Sequence, residues 1–116
     1  MLQSRIFKSN DFIQPSDEEP IRSVVASSKD STIIMWHVKP GQTIENHTHP
    51  NGQDTWTVLS GSAQYISDEK GSVSEVKTGD IVIAHRGEVH GAVNNGNIPF
   101  IFVSVVSPSE AGFELA

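Results

Sequence analysis

Thr43-Ile44-Glu45-Asn46-His47-Thr48-His49-Pro50-Asn51-Gly52-Gln53-Asp54-Thr55-Trp56 sets two histidines one residue apart and follows them, past a Pro-Asn-Gly turn, with an amide, a carboxylate and an indole. If 43–49 is a strand, side-chain alternation sends His47 and His49 out of the same face, whereas on a helix they would diverge. Two imidazoles on one face can chelate a divalent metal. The pair alone also fits an exposed polar stripe, so its meaning depends on the chain around it.

That chain is punctuated at Pro40-Gly41, Pro50-Asn51-Gly52, Gly61, Lys70-Gly71, Gly79-Asp80, Arg86-Gly87 and Asn94-Asn95-Gly96, and the runs between are short and rich in Val, Ile and Thr. The pattern predicts strands at about 21–28, 32–38, 43–49, 54–60, 62–67, 72–76, 81–84, 89–93 and 100–106. No stretch keeps helical spacing long enough for a long helix, and no repeat of solenoid period is present. The fold class is all-β, a barrel or two-sheet sandwich of nine short strands. Residues 9–20 are polar and proline-bearing, which divides the chain into an irregular lead-in over 1–20 and an ordered domain over 21–116. Ile33, Ile34, Met35, Trp36 and Val38 are apolar on both parities of one strand. Both faces of that strand need cover, from a partner subunit or from the lead-in.

Composition narrows the chemistry. At 116 residues the chain is expected to be one domain with its own core. Fourteen acidic against eight basic residues give a net charge of -6, which argues against a phosphate-backbone partner and hence against nucleic acid. There is no cysteine, so a metal would be held by nitrogen and oxygen. Neither a signal-peptide-like apolar run nor a membrane-length one occurs, and the expectation is a soluble, cytoplasmic protein with no membrane partner.

Two ordered patterns lie in the middle of the chain. In the first, Gly41 is followed after five residues by His47-Thr48-His49, after four more by Asp54, and after six more by Gly61. In the second, Gly79 is followed after five residues by His85, then by Gly87, His90 and Asn94. Together, over residues 41–94, they resemble the two motifs of the cupin superfamily. The resemblance implies a double-stranded β-helix, a small jelly-roll barrel with one metal in its mouth, in a single cupin domain. It implies that His47, His49 and His90 are ligands, that Gly61, Gly79 and Gly87 shape turns, and that Asn94 is structural. Two positions depart from the family pattern, with His85 where the family has proline and Asp54 where it has glutamate. His85 is read as a contact near the site or as an exposed loop residue, and His37, beside Lys39, as structural and pointing away from the interior.

The fourth ligand is left open by the spacing. Counting back from Gly61 selects Asp54, which puts Asp54, Trp56 and Val58 on the inward face; counting forward from His49 by the shorter family spacing selects Gln53. Three imidazoles and a carboxylate leave a divalent ion at net +1, three imidazoles and an amide at +2. One divalent transition metal is expected, with Mn, Fe, Ni, Co, Cu and Zn all compatible with such donors. Trp56 and Trp36 are either core or walls of a ligand pocket, and Tyr65 is placed to turn a hydroxyl inward. The function expected is metal-dependent chemistry on a small oxygen-rich molecule, of dioxygenase, decarboxylase or isomerase type. The alternative is a noncatalytic module that binds a small acid, sugar or metabolite. A homodimer is expected from the resemblance and from the two-sided strand 32–38.

Overall fold

The structure, a computed structural model, describes residues 4–116. A 3-10 turn at Ser9–Phe12 precedes ten strands: β1 Ser23–Ser27, β2 Thr32–Val38, β3 Thr43–Thr48, β4 Gln53–Ser60, β5 Ser62–Ile66, β6 Val73–Lys77, β7 Ile81–Ala84, β8 His90–Val93, β9 Phe100–Ser107 and β10 Glu114–Leu115. They form two five-stranded antiparallel sheets, β1-β2-β9-β4-β7 and β10-β3-β8-β5-β6, packed face to face. This is the expected double-stranded β-helix. All nine expected strands are present to within a few residues; β10 and the 3-10 turn were not foreseen, being too short for a periodicity to register.

Alternation on β4 and β9 builds the interior. On β9 Phe100, Phe102, Ser104 and Val106 are buried, with half-buried residues between them; on β4 it is Asp54, Trp56 and Val58. The antiparallel register sets Val58 beside Phe102, Trp56 beside Ser104 and Asp54 beside Val106. One end of the sandwich is therefore filled with aromatic rings: Trp56 stacks on Phe102 at 4.0 Å between centroids and meets Tyr65 edge-on at 5.3 Å. Towards the other end the inward side chains shrink or become polar, and the sandwich opens.

The two-sided apolar character of β2 has a cause within the chain. Ile34, Trp36 and Val38 face the interior, while Met35 and His37 are buried on the opposite face. There the lead-in is tied down: Gln14 Nε2 donates to Ser23 Oγ at 2.9 Å, and Ser23 is the β1 partner of Met35. Gln42 Nε2 donates to the Ser16 carbonyl at 2.7 Å and Lys39 pairs with Asp17. The lead-in thus fills the role for which a partner subunit had been the other option.

The β4–β5 corner depends on Gly61. Its φ is +79°, and a Cβ there would lie 2.1 Å from the Pro99 carbonyl oxygen. Gly79 and Gly87, the other two turn glycines implied by the resemblance, also have positive φ. Asn94, fully buried, donates through Nδ2 to the carbonyls of Val38 and Ile98, each at 2.9 Å, and so is structural as expected. Gly61→Ala should destabilise the protein by about 3 kcal/mol or more in urea unfolding, combining left-handed strain with a backbone clash. Gly71→Ala, at φ +83° in open space, should cost only the strain, roughly 1–2 kcal/mol. Equal losses in the two variants would mean that the Pro99 contact relaxes freely.

Candidate metal centre

A bulge in β3 aims the first histidine of the pair. Ile44 pairs with Ala92 and His47 with His90, so three steps along β3 match two along β8. The extra residue lets Ile44 and His47, of opposite parity, both face inward. Gly91 stands across from the bulge, where a Cβ would come within 2.3 Å of Asn46 Oδ1 and 2.9 Å of the Ile44 carbonyl oxygen. The missing side chain makes room for the bulge and, through it, for the orientation of His47.

His47, His49, Asp54 and His90 meet at the open end, one donor atom from each lying within 4.8 Å of all the others. Each imidazole is held from behind. Nδ1–H of His47 donates to the Glu45 carbonyl at 2.7 Å, that of His49 to Gly112 at 2.7 Å, and that of His90 to Glu88 at 3.3 Å. With the proton on Nδ1, Nε2 of His47 and of His49 carries a lone pair, and at His90 the Nε2 contact with the Asp54 carboxylate needs a proton or a cation between the two. Asp54 faces them: Ser104 Oγ donates to Oδ1 at 2.5 Å, while Oδ2 lies 3.1 Å from His90 Nε2 and 3.4 Å from His49 Nε2. The His49 contact lacks hydrogen-bond geometry, and His49 Nε2 is buried without a hydrogen-bond partner.

Lone pairs and a carboxylate oxygen at these distances repel one another unless a positive charge stands among them. A buried, unsatisfied acceptor is costly, by roughly 1–3 kcal/mol. Either extra protons or a cation must meet that demand, and three nitrogens with one oxygen are a donor set suited to a divalent transition metal. The residues present therefore fit a metal.

The titration properties reflect the same crowding. Burial, and then the neighbouring His90 imidazole, push His47 down to about 4. Burial also acts to lower His49, but the Asp54 carboxylate and the Gly112 carbonyl outweigh it and the pKa is raised, with Arg22 opposing. For Asp54, burial would raise the pKa, yet the contacts from His49, His90 and Ser104 hold the carboxyl well below the usual carboxylate range.

Of the other residues singled out in the sequence, Gln53 lies one step before Asp54 on β4, so its side chain leaves from the opposite face and does not line the cavity. Trp56 and Trp36 serve both roles considered for them, packing in or against the core and walling the cavity. Tyr65 belongs to the core and does not reach the cavity lining; burial, with the charges of Asp54 and Glu88, raises its pKa. His85 is an exposed loop residue whose Nδ1 contacts Glu88 Oε1 at 2.9 Å. Ser104, Gly112 and Phe113 were missed. Only Ser104 left a signal, as a lone hydroxyl on the otherwise apolar inward parity of β9.

Above the cluster lies a cavity of about 700 Å³, walled by Ile34, Trp36, Trp56 and Phe113 and reached by Arg22 and Glu19 at its mouth. Its size suits one small ligand. The model of the cupin domain matches residues 34–106, most of the chain, and both halves of the cluster lie within the match. The chain belongs to the cupin family. It is 56% identical, over 98% of each chain, to an uncharacterized conserved protein with a double-stranded beta-helix domain from Klebsiella pneumoniae, whose crystal structure superposes with a TM-score of 0.94. Among curated proteins, this cupin is 36% identical over 74 residues to the auxin-binding protein ABP19b of Prunus persica, covering 60% of this chain and 35% of that protein. The chain thus spans about a third of the length of the curated relatives it matches. Solved structures that share this fold include an enzyme: the polyketide cyclase RemF of Streptomyces resistomycificus superposes with a TM-score of 0.80 at 19% identity, over 98% of this chain and 86% of that one.

The pKa directions yield a signed expectation for the metal-stripped protein. Folded His47 titrates near 4 and unfolded His47 near 6.5. Between these values the unfolded chain binds the extra proton, so stability falls as pH drops from 6.5 to about 4. The ceiling is roughly 3 kcal/mol. His49, with its raised pKa, works in the opposite sense, contributing stability below 6.5 that is lost as pH rises through its folded value, so the net change is smaller. The contribution of Asp54 is present above ~3.9 and is lost only in stronger acid. In urea unfolding of chelator-treated protein over this range, His47→Gln should flatten the pH slope; an unchanged slope would remove His47 as its source.

Proposed function

We propose that His47, His49 and His90, through Nε2, and Asp54, through a carboxylate oxygen, hold one divalent transition metal, and that the cavity presents a small oxygen-rich molecule to it for a reaction of dioxygenase, decarboxylase or isomerase type. One observation carries the reading. Three imidazoles have Nδ1 held by backbone carbonyls, so their Nε2 atoms converge with a buried carboxylate, and one of those nitrogens has no partner. Held there, a metal would supply a Lewis acid to polarise an oxygen of the bound molecule, or a site for O₂.

The chain's own residues prepare the rest. Ser104 occupies Oδ1 of Asp54 and so directs Oδ2 towards the histidines. His47, His49, His90 and Asp54 would hold the ion, and the cavity beside them would admit a small molecule to it. Trp36, Trp56 and Phe113 line that side with apolar surface, which excludes water and strengthens electrostatic contacts within it. The carboxylate brings a divalent site to net +1, against +2 had Gln53 been the donor.

Noncatalytic capture of a small acid is the second reading. It is favoured by Arg22, which lines the same cavity and forms no ion pair among the described residues. Turnover measured with and without O₂ separates the two readings.

Elemental analysis of protein reconstituted with Mn, Fe, Co, Ni, Cu or Zn should find close to one metal per chain, and His47→Ala with His49→Ala and His90→Ala should abolish it. Asp54→Asn should weaken metal binding at least about tenfold, and Gln53→Ala should leave it unchanged. Wild-type metal content in the triple variant would end the assignment.

A homodimer belongs to this proposal as well, on the outer face of the sheet that β2 shares with β9, β4 and β7. The outer face of β9, β4 and β7 carries rows Val103-Thr57-Ile81 and Val105-Thr55-Ile83. Ile81 is 70% and Ile83 42% exposed, with Leu59 at 41% beside them. These exposed apolar residues, flanking Thr55 and Thr57 on one face, suit a two-fold contact with a second copy. Light scattering should give twice the 12.6 kDa chain mass, falling to one chain for Ile81→Lys with Ile83→Lys. A wild-type monomer at high micromolar concentration would remove the claim.

A further inference from the structure

The segment Ala111–Ala116 is laid along the strand that leads to both histidines of the pair. Ala111 is fully buried, and its carbonyl accepts from Asn51 N–H at 2.7 Å. It sits where Gly52 has no side chain, since a Cβ on Gly52 would come within 2.5 Å of the Ala111 Cβ. The chain then turns through Gly112 at φ +79° and runs as β10, pairing Glu114 with Thr48 and Leu115 with His47; Ala116 N–H donates to the Asn46 carbonyl at 3.0 Å. On this path the Gly112 carbonyl accepts from His49 Nδ1, and the Phe113 ring lies 5.0 Å from the His47 ring, inclined by 31°.

The three carbonyls that hold the imidazoles differ in origin. Glu45 and Glu88 each lie two residues from the histidine they hold, so local backbone geometry provides them. Gly112 is 63 residues from His49. His49 follows the end of β3 and has no neighbour of its own to fix its ring, so its orientation is borrowed from a distant segment.

We propose that the segment Ala111–Ala116 is part of the metal centre, with the Gly112 carbonyl as the positioning group that sets the tautomer and aim of His49. The inference rests on the reading above that these histidines hold a metal. The physical reason is the tautomer. With Nδ1–H bound to a carbonyl, the lone pair sits on Nε2 and the ring is locked. With that carbonyl gone, the proton is free to move to Nε2 and donate to Asp54 Oδ2, now 3.4 Å away. That would take both a nitrogen and a carboxylate oxygen from the metal. The β10 pairing and the Ala111 anchor keep the carbonyl in place, and Phe113 covers His47 from the cavity side.

Co²⁺ affinity, measured by competition with a chromophoric chelator, tests this on three forms: the full chain, a chain ending at Ala111 and a chain ending at Phe113. Circular dichroism and thermal melting of the metal-free forms report whether each is folded. The chain ending at Ala111 should bind Co²⁺ about 10–100-fold more weakly than the full chain. The chain ending at Phe113 keeps the Gly112 carbonyl and the Ala111 anchor but loses the β10 pairing, and should bind Co²⁺ more tightly than the Ala111 form and more weakly than the full chain. If the folded Ala111 form binds Co²⁺ as tightly as the full chain, the inference is overturned and the metal reading stands. A full chain that takes up no Co²⁺ overturns both. Should the Ala111 form not fold, long-range ¹H–¹⁵N correlation on the Zn²⁺-loaded full chain decides: His49 protonated at Nδ1, with that proton protected from exchange, supports the inference, and His49 bound through Nδ1 or exchanging freely overturns it.

Discussion

The convergence of three imidazole nitrogens on one buried carboxylate is the constraint around which the open end of this barrel is organised. Like-signed electron density has been gathered where water cannot screen it, and every neighbour serves either to hold it there or to offset it. Backbone carbonyls behind the rings prevent the imidazoles from turning away, and Ser104 prevents Asp54 from doing so. A site built in this way is pre-organised for a cation. Its side chains have already lost their conformational freedom when the fold forms, so little more would be lost on binding a cation.

The two ends of the sandwich divide the labour. At the closed end Trp56, Phe100, Phe102 and Tyr65 fill the space between the sheets, and this core owes nothing to the metal centre. Trp56 joins the two, since its ring stacks on Phe102 and also lies 5.8 Å from the ring of His90. Packing thus reaches the ligands directly. A change of ring size at position 56 would be felt at the centre as well as in the core, because close-packed interiors transmit displacement.

Much of the architecture was legible in the sequence because its signals are local. Alternation of period two, with turn residues at short intervals, marks nine strands, and each such signal is complete within a few residues. The same is true of His47 and His90, whose spacing from the turn glycines carries the family pattern. The two-sided apolar run at 32–38 was read correctly as needing cover on both faces. What provides the cover could not be read, because both options bury the same side chains and only the path of residues 14–23 distinguishes them.

The residues themselves determined the all-β class, the turn positions and the histidines that meet at the mouth. The tertiary structure turned Asp54 inward and Gln53 outward, two adjacent residues at equally acceptable spacing, because β4 pairs with β9 and β7 in that register. It also recruited Ser104 from 50 residues away and Gly112 from 63. No pattern in the neighbourhood of a ligand can announce a partner that distant. A hydroxyl or a carbonyl acquires its role only when the sheets close and remove the water that would otherwise satisfy the same groups.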